Sequence, residues 1–117
     1  ILVFPNFKCS TKEIFSKVKN FSQPSKINYS KITSKVKFIN LIKKERNDLE
    51  KIVDQKSSML KKIKKFISLQ QDCYFTRMTG SGSACFGMFK SQKSAKLGLK
   101  SVKKKFPYCW SVATKTI

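Results

Sequence analysis

The chain contains no histidine. That absence excludes a Ser-His-Asp triad, a Cys-His dyad and any histidine-ligated metal. Only six carboxylates are present among 117 residues: Glu13, Glu45, Asp48, Glu50, Asp54 and Asp72. Acid–base chemistry therefore has few candidates. Arginine is nearly missing as well, with Arg46 and Arg77 the only two among 26 basic residues. No apolar run approaches the ~20 residues that span a bilayer. The opening Ile1 to Pro5 lacks the basic flank and the length of a signal peptide. No C-x-x-C pair occurs among Cys9, Cys73, Cys85 and Cys109, and their spacing matches no zinc site. Cys73, Cys85 and Cys109 sit in apolar runs and read as small hydrophobes, with a reducing compartment as the natural setting.

What is present is charge of one sign. The net charge is +20. Such a balance is the usual footprint of a nucleic-acid or anionic-membrane binder. Readers of bases and phosphates, however, favour the bidentate fork of arginine, and this chain carries lysine. Lysine-rich drift with general anion attraction fits the composition better than dedicated nucleic-acid binding.

The length supports one domain with one modest core. Ile1 to Phe4 read as a buried strand closed by Pro5-Asn6. Ser10 with Glu13 has the form of a capping box, opening a helix with Ile14, Phe15 and Val18 on one face. Residues 21–30 read as a loop. Ile32 to Ile42 have a roughly helical period, and Asn47-Asp48 cap a helix carrying Leu49, Ile52 and Val53. Met59, Leu60, Ile63, Phe66 and Ile67 follow the helical rule, with Lys61, Lys62, Lys64 and Lys65 expected on a solvated face. Cys73 to Met78 alternate and Ala84 to Phe89 are strand-like, so a hairpin joins them through Thr79-Gly80-Ser81-Gly82-Ser83. Ser91 to Lys105 return to helical period, Pro107 stops them, and Tyr108 to Thr114 form a last strand. The order β-α-(α-α-α)-β-β-α-β, less its inserted helices, is the split β-α-β or ferredoxin-like order. The expectation is an α+β domain over residues 1–117, an antiparallel sheet with helices on one face. The lack of an initiator methionine and the start inside a strand read as part of a longer protein.

Gly80-Ser81-Gly82-Ser83 can turn successive N–H groups inward, and such a nest attracts phosphate. The competing reading is a plain hairpin loop. Neither the P-loop nor the G-x-G-x-x-G pattern applies.

The stretch Arg77 to Phe89 resembles the third conserved motif of the GHMP kinase superfamily. Leu2-Val3-Phe4-Pro5 followed by Ser10-Thr11-Lys12-Glu13-Ile14-Phe15 resembles the first strand and helix of that family's C-terminal domain. Asn47-Asp48-Leu49-Glu50 resembles an N-D-L-E helix start. Together they point to the branch serving non-mevalonate isoprenoid biosynthesis. The resemblance implies transfer of the ATP γ-phosphoryl group, with Mg²⁺, to the 2-hydroxyl of 4-diphosphocytidyl-2-C-methyl-D-erythritol. It implies that Gly80, Ser81, Gly82 and Ser83 face the nucleotide phosphates. It also implies that Thr11 and Phe15 line the substrate pocket, Phe15 stacking on the cytosine; core packing is the other reading of Phe15.

The family's catalytic Lys and Asp and its main phosphate loop belong to an N-terminal domain that nothing here matches. No catalytic or metal-binding residue is therefore expected in this chain, and alone it should be inactive, since phosphoryl transfer rests on a complete cleft. The implied partner is that N-terminal domain, with no membrane or specific nucleic acid. The implied location is the bacterial cytoplasm, or a plastid-type organelle in a eukaryote. A basic ferredoxin-like RNA-binding module is the alternative. Ala84 to Phe89, however, lacks the leading basic-Gly pair of the RNA-binding signature.

Overall fold

The computed structural model describes residues 1–116. Its elements are β1 (Leu2–Phe4), α1 (Thr11–Ser16), a 3₁₀ turn (Tyr29–Lys31), α2 (Lys35–Ile42), α3 (Glu50–Lys56), α4 (Ser58–Ser68), β2 (Cys73–Met78), β3 (Cys85–Phe89), α5 (Gln92–Lys105) and β4 (Trp110–Val112). This is the expected order, with α2, α3 and α4 as the insert. The four strands form one antiparallel sheet in the order β2-β3-β1-β4, which makes β2 and β4 its edges.

Helices α4 and α5 pack on one face of that sheet. Between them lies the core: Val3, Ile14, Val53, Leu60, Ile63, Ile67, Met78, Cys85 and Val102 are almost fully buried. Burial of each such aliphatic side chain stabilises by roughly 1.5–3 kcal/mol. The helical spacing of Leu60, Ile63 and Ile67 is what turns α4 toward the sheet.

Several expectations need correction. Lys64 does not join the solvated face of Lys61, Lys62 and Lys65. It is buried, and its ammonium pairs with the carboxylates of Glu50 and Asp54, the latter at 3.0 Å. The period of α4 places position 64 against α3, and two carboxylates there make a buried charge tolerable. Helix α2 begins only at Lys35, where Ser34 caps it, and none of its residues is buried. The Ser10–Glu13 capping box is half formed. Ser10 accepts the Glu13 N–H at 3.3 Å, while the Glu13 carboxylate turns to Lys17 and Lys56. The alternation of β2 is broken by an irregularity between Cys73 and Phe75. Phe75 then packs edge-on against Phe86, with the Arg77 guanidinium 4.9 Å above its ring. The last strand is shorter than its apolar pattern, since only Trp110 to Val112 find a partner on β1.

Candidate functional site

The loop joining β2 to β3 is shaped by two turns of positive φ. Gly80 has φ +57° and Gly82 has φ +90°. The Thr79 N–H reaches the Ala84 carbonyl at 2.9 Å and closes the loop at its base. The Gly82 N–H reaches the Thr79 carbonyl at 3.2 Å, forming a tight turn with Gly80 and Ser81 at its centre. A Cβ on Gly82 would stand 2.9 Å from Met78 Sδ and 3.3 Å from Cys9 Sγ, whereas one on Gly80 would meet open space. Gly82 thus faces the core and Gly80 faces outward.

The four loop residues divide into two kinds. Ser83 is buried at 1% exposure, and its hydroxyl donates to the Phe7 carbonyl. Ser83 and Gly82 anchor the loop. Gly80 and Ser81 sit at the tip, where their N–H groups meet no protein acceptor among the described residues.

Helix α1 brings a second group of residues to this tip. The Ser10 cap starts the helix and buried Ile14 fixes its rotation. Thr11, in the first turn, then places its hydroxyl 2.8 Å from that of Ser81. Phe15 lies one turn further on and is 49% exposed, which excludes core packing as its role. Its ring centroid lies 6.5 Å from that of Phe21, itself exposed, at an angle of 39°. The arrangement runs from a loop with free amides, through two hydroxyls, to an exposed aromatic pair. It can receive an anion at one end and a flat ring at the other. All six site residues expected from the sequence lie in this region, although Ser83 turns its side chain inward.

Two further residues reach the loop from the N-D-L-E segment. Asn47 Nδ2 donates to the Met78 carbonyl at 3.1 Å and to the Gly80 carbonyl at 2.8 Å, while its Oδ1 accepts the Leu49 N–H at 3.0 Å. That last bond is not the helix cap expected of Asn47, because α3 has Leu49 as its N-cap with no side chain capping it; the Asn47 oxygen instead steadies the turn that leads into the helix. Glu50 Oε2 accepts the Met78 N–H at 2.6 Å. Asp48 turns the other way and accepts the Ser22 N–H and hydroxyl at 2.7 and 2.8 Å. Those two bonds hold its carboxyl below the usual range.

Five of the six carboxylates thus have structural partners: Glu13 with two lysines, Glu45 with Tyr29, Asp48 with Ser22, and Glu50 and Asp54 with Lys64. Hydrogen bonds from Lys56 and Lys17 draw Glu13 down to about 2. No group of three His, Cys, Asp or Glu residues able to hold a metal occurs among the described residues. Two surface hollows lie apart from the junction, one beside α2 and one along β3.

A family model for the C-terminal region of GHMP kinases matches residues 36–107. The chain belongs to the GHMP kinase C-terminal family. Its match runs from α2 to the end of α5 and includes the glycine loop, while β1 and α1 precede it.

Two relatives of the same name span nearly the whole of this chain. The chain is 39% identical to a 4-diphosphocytidyl-2-C-methyl-D-erythritol kinase of Pelagibacter ubique, over 97% of this chain and 39% of that protein. It is 35% identical to the kinase of the same name from a Wolbachia of Drosophila simulans, over all of this chain and 40% of that protein. The chain thus spans about two fifths of the length of the curated relatives it matches. The fold matches a crystal structure of 4-(cytidine 5'-diphospho)-2C-methyl-D-erythritol kinase with a TM-score of 0.67, at 20% identity, over 93% of this chain and 40% of that one. Nothing in these matches supports the RNA-binding alternative.

Proposed function

We propose that this chain is the C-terminal part of a 4-diphosphocytidyl-2-C-methyl-D-erythritol kinase, forming one domain over residues 1–117. In the complete enzyme the γ-phosphoryl group of ATP passes to the 2-hydroxyl of the substrate. The single observation that carries the reading is the Thr11–Ser81 contact at 2.8 Å. It joins the helix assigned to the substrate with the loop assigned to the nucleotide phosphates.

In this reading Gly80 and Ser81 offer N–H groups to the phosphates, and Gly82 and Ser83 hold the loop in place. Thr11 contacts the substrate near the transfer point, and Phe15 stacks on its cytosine, since every base offers a π-face. Charge neutralisation and positioning dominate phosphoryl transfer. The backbone nest supplies part of that neutralisation, and the +20 charge raises the local concentration of two anionic substrates. Mg²⁺ in such enzymes is held by one or two carboxylates together with the substrate phosphates, and in this reading its ligands are assigned to the N-terminal domain. The catalytic pair and the main phosphate loop are assigned to an N-terminal domain, the implied partner. Among the described residues no helix is long and apolar enough to cross a membrane, and a cytoplasmic or plastid-type setting accompanies the reading.

The test is a transfer assay on the full-length protein, following labelled phosphate from ATP to 4-diphosphocytidyl-2-C-methyl-D-erythritol. Phosphorylated substrate is expected. ATP hydrolysis without acceptor phosphorylation, or no turnover, would overturn the reading.

A further inference from the structure

The N-D-L-E segment grips the end of β2 at two backbone atoms and the glycine loop at a third. Met78 is the last residue of edge strand β2, so one side of its peptide groups has no neighbouring strand. Glu50 takes its N–H and Asn47 takes its carbonyl. The second Asn47 hydrogen reaches past Thr79 to the Gly80 carbonyl. Behind Glu50 stands Lys64, buried and shared with Asp54. A rigid chain therefore runs from α4 through α3 to the tip of the loop.

An amide is the side chain this task requires. Its two N–H groups can serve two carbonyls while its oxygen remains free to accept the Leu49 N–H. A carboxylate in its place would set negative oxygen against two carbonyl oxygens. The Gly80 carbonyl belongs to the peptide that supplies the Ser81 N–H. Fixing the one therefore aims the other.

We infer that Asn47, backed by Glu50, is a positioning residue for nucleotide binding: its carboxamide fixes the peptide plane through which the loop tip presents N–H groups to phosphate. The inference rests on the function proposed above. It assigns to this segment a task distinct from steadying the turn that leads into α3.

The experiment is steady-state kinetics of the full-length kinase with Asn47→Ala and Asn47→Asp, each substrate varied in turn, beside thermal unfolding. Loss of these two hydrogen bonds, one half-buried and one exposed, corresponds to roughly a tenfold effect. The KM for ATP is expected to rise about tenfold in Asn47→Ala and further in Asn47→Asp, with the KM for the acceptor moving less than about twofold. Asp48→Ala, which touches Ser22 and not the loop, should leave the KM for ATP unchanged. Glu50→Gln keeps the side chain's shape and should raise the KM for ATP by a smaller factor, which covers the case of an unfolded Asn47 variant. A lowered Tm with unchanged KM for ATP in the folded variants would reduce Asn47 to a structural contact and overturn the inference alone. Wild-type protein without acceptor phosphorylation would overturn the proposed function instead.

Discussion

Thr11 and Ser81 are seventy positions apart in sequence, and their hydroxyl oxygens are 2.8 Å apart in space. The bond ties α1 to the glycine loop where no strand pairing joins them. A hydrogen bond of this kind contributes about 0.5–1.5 kcal/mol. A double-mutant cycle with Thr11→Val and Ser81→Ala should therefore be non-additive by about that amount in urea unfolding. Strictly additive losses would mean that the two hydroxyls do not interact in solution.

The two turn glycines should separate by substitution. Gly82→Val meets both an unfavourable φ and the side chains of Met78, Cys9 and Val53. Overpacking and strain together should lower stability by about 2–5 kcal/mol. They should also raise the KM for ATP in the full-length protein. Gly80→Ala has the strain without the crowding, so a loss of about 1 kcal/mol is expected. Equal losses in chemical denaturation would contradict the assignment of one glycine to the core and one to the surface.

Removal of Lys64 leaves Glu50 and Asp54 as uncompensated, largely buried carboxylates. Lys64→Met should lower stability by about 3–5 kcal/mol. Lys61→Met on the exposed side of the same helix should stay within about 0.5 kcal/mol. Because Glu50 also holds the Met78 N–H, hydrogen exchange in the glycine loop should quicken in the first variant and not in the second.

Glu13 provides a pH signature. Its folded-state value of about 2 lies below the 4.5 of the unfolded chain, so the pair with Lys56 and Lys17 stabilises fully above about pH 4.5. That contribution fades as pH falls from there toward 2. Glu13→Gln should accordingly reduce the loss of Tm between pH 5 and pH 2, and added salt should shrink the difference because the group is exposed. A Tm profile with the same slope in both proteins would remove the ion pairs from the account.

Cys85 gives the opposite case. Burial pushes its thiol up to about 12 from 9. The protonated form is favoured in the fold, so stability is expected to decline as pH rises from about 9 toward 12. At pH 8.5 the thiol should resist alkylation until the protein is unfolded. Rapid labelling of Cys85 in the native protein, mapped by mass spectrometry, would show that the core opens there.

Element order was legible because α4, α5 and the strands carry strong periods of their own. Lys64 was not, because its sequence neighbours are identical in type and only α3 distinguishes it. Thr11, Gly80 and Ser81 could be named from a resemblance, yet their contact depends on α1 folding back over the hairpin. Asn47 and Glu50 hid behind a simpler explanation: residues at a helix start read as capping candidates, and nothing local shows that their side chains hold a distant strand end and loop. Phe15 shared a helical spacing with Ile14 and Val18, and only burial separates the outward ring from the inward aliphatic.

The grip on Met78 has a consequence for the sheet itself. With Glu50 on its N–H and Asn47 on its carbonyl, the outer rim of β2 ends in side chains. A strand from a second copy of the chain would find no free peptide groups at that end to zip onto. The contacts that steady the loop also make this end of the sheet's border a poor seed for aggregation.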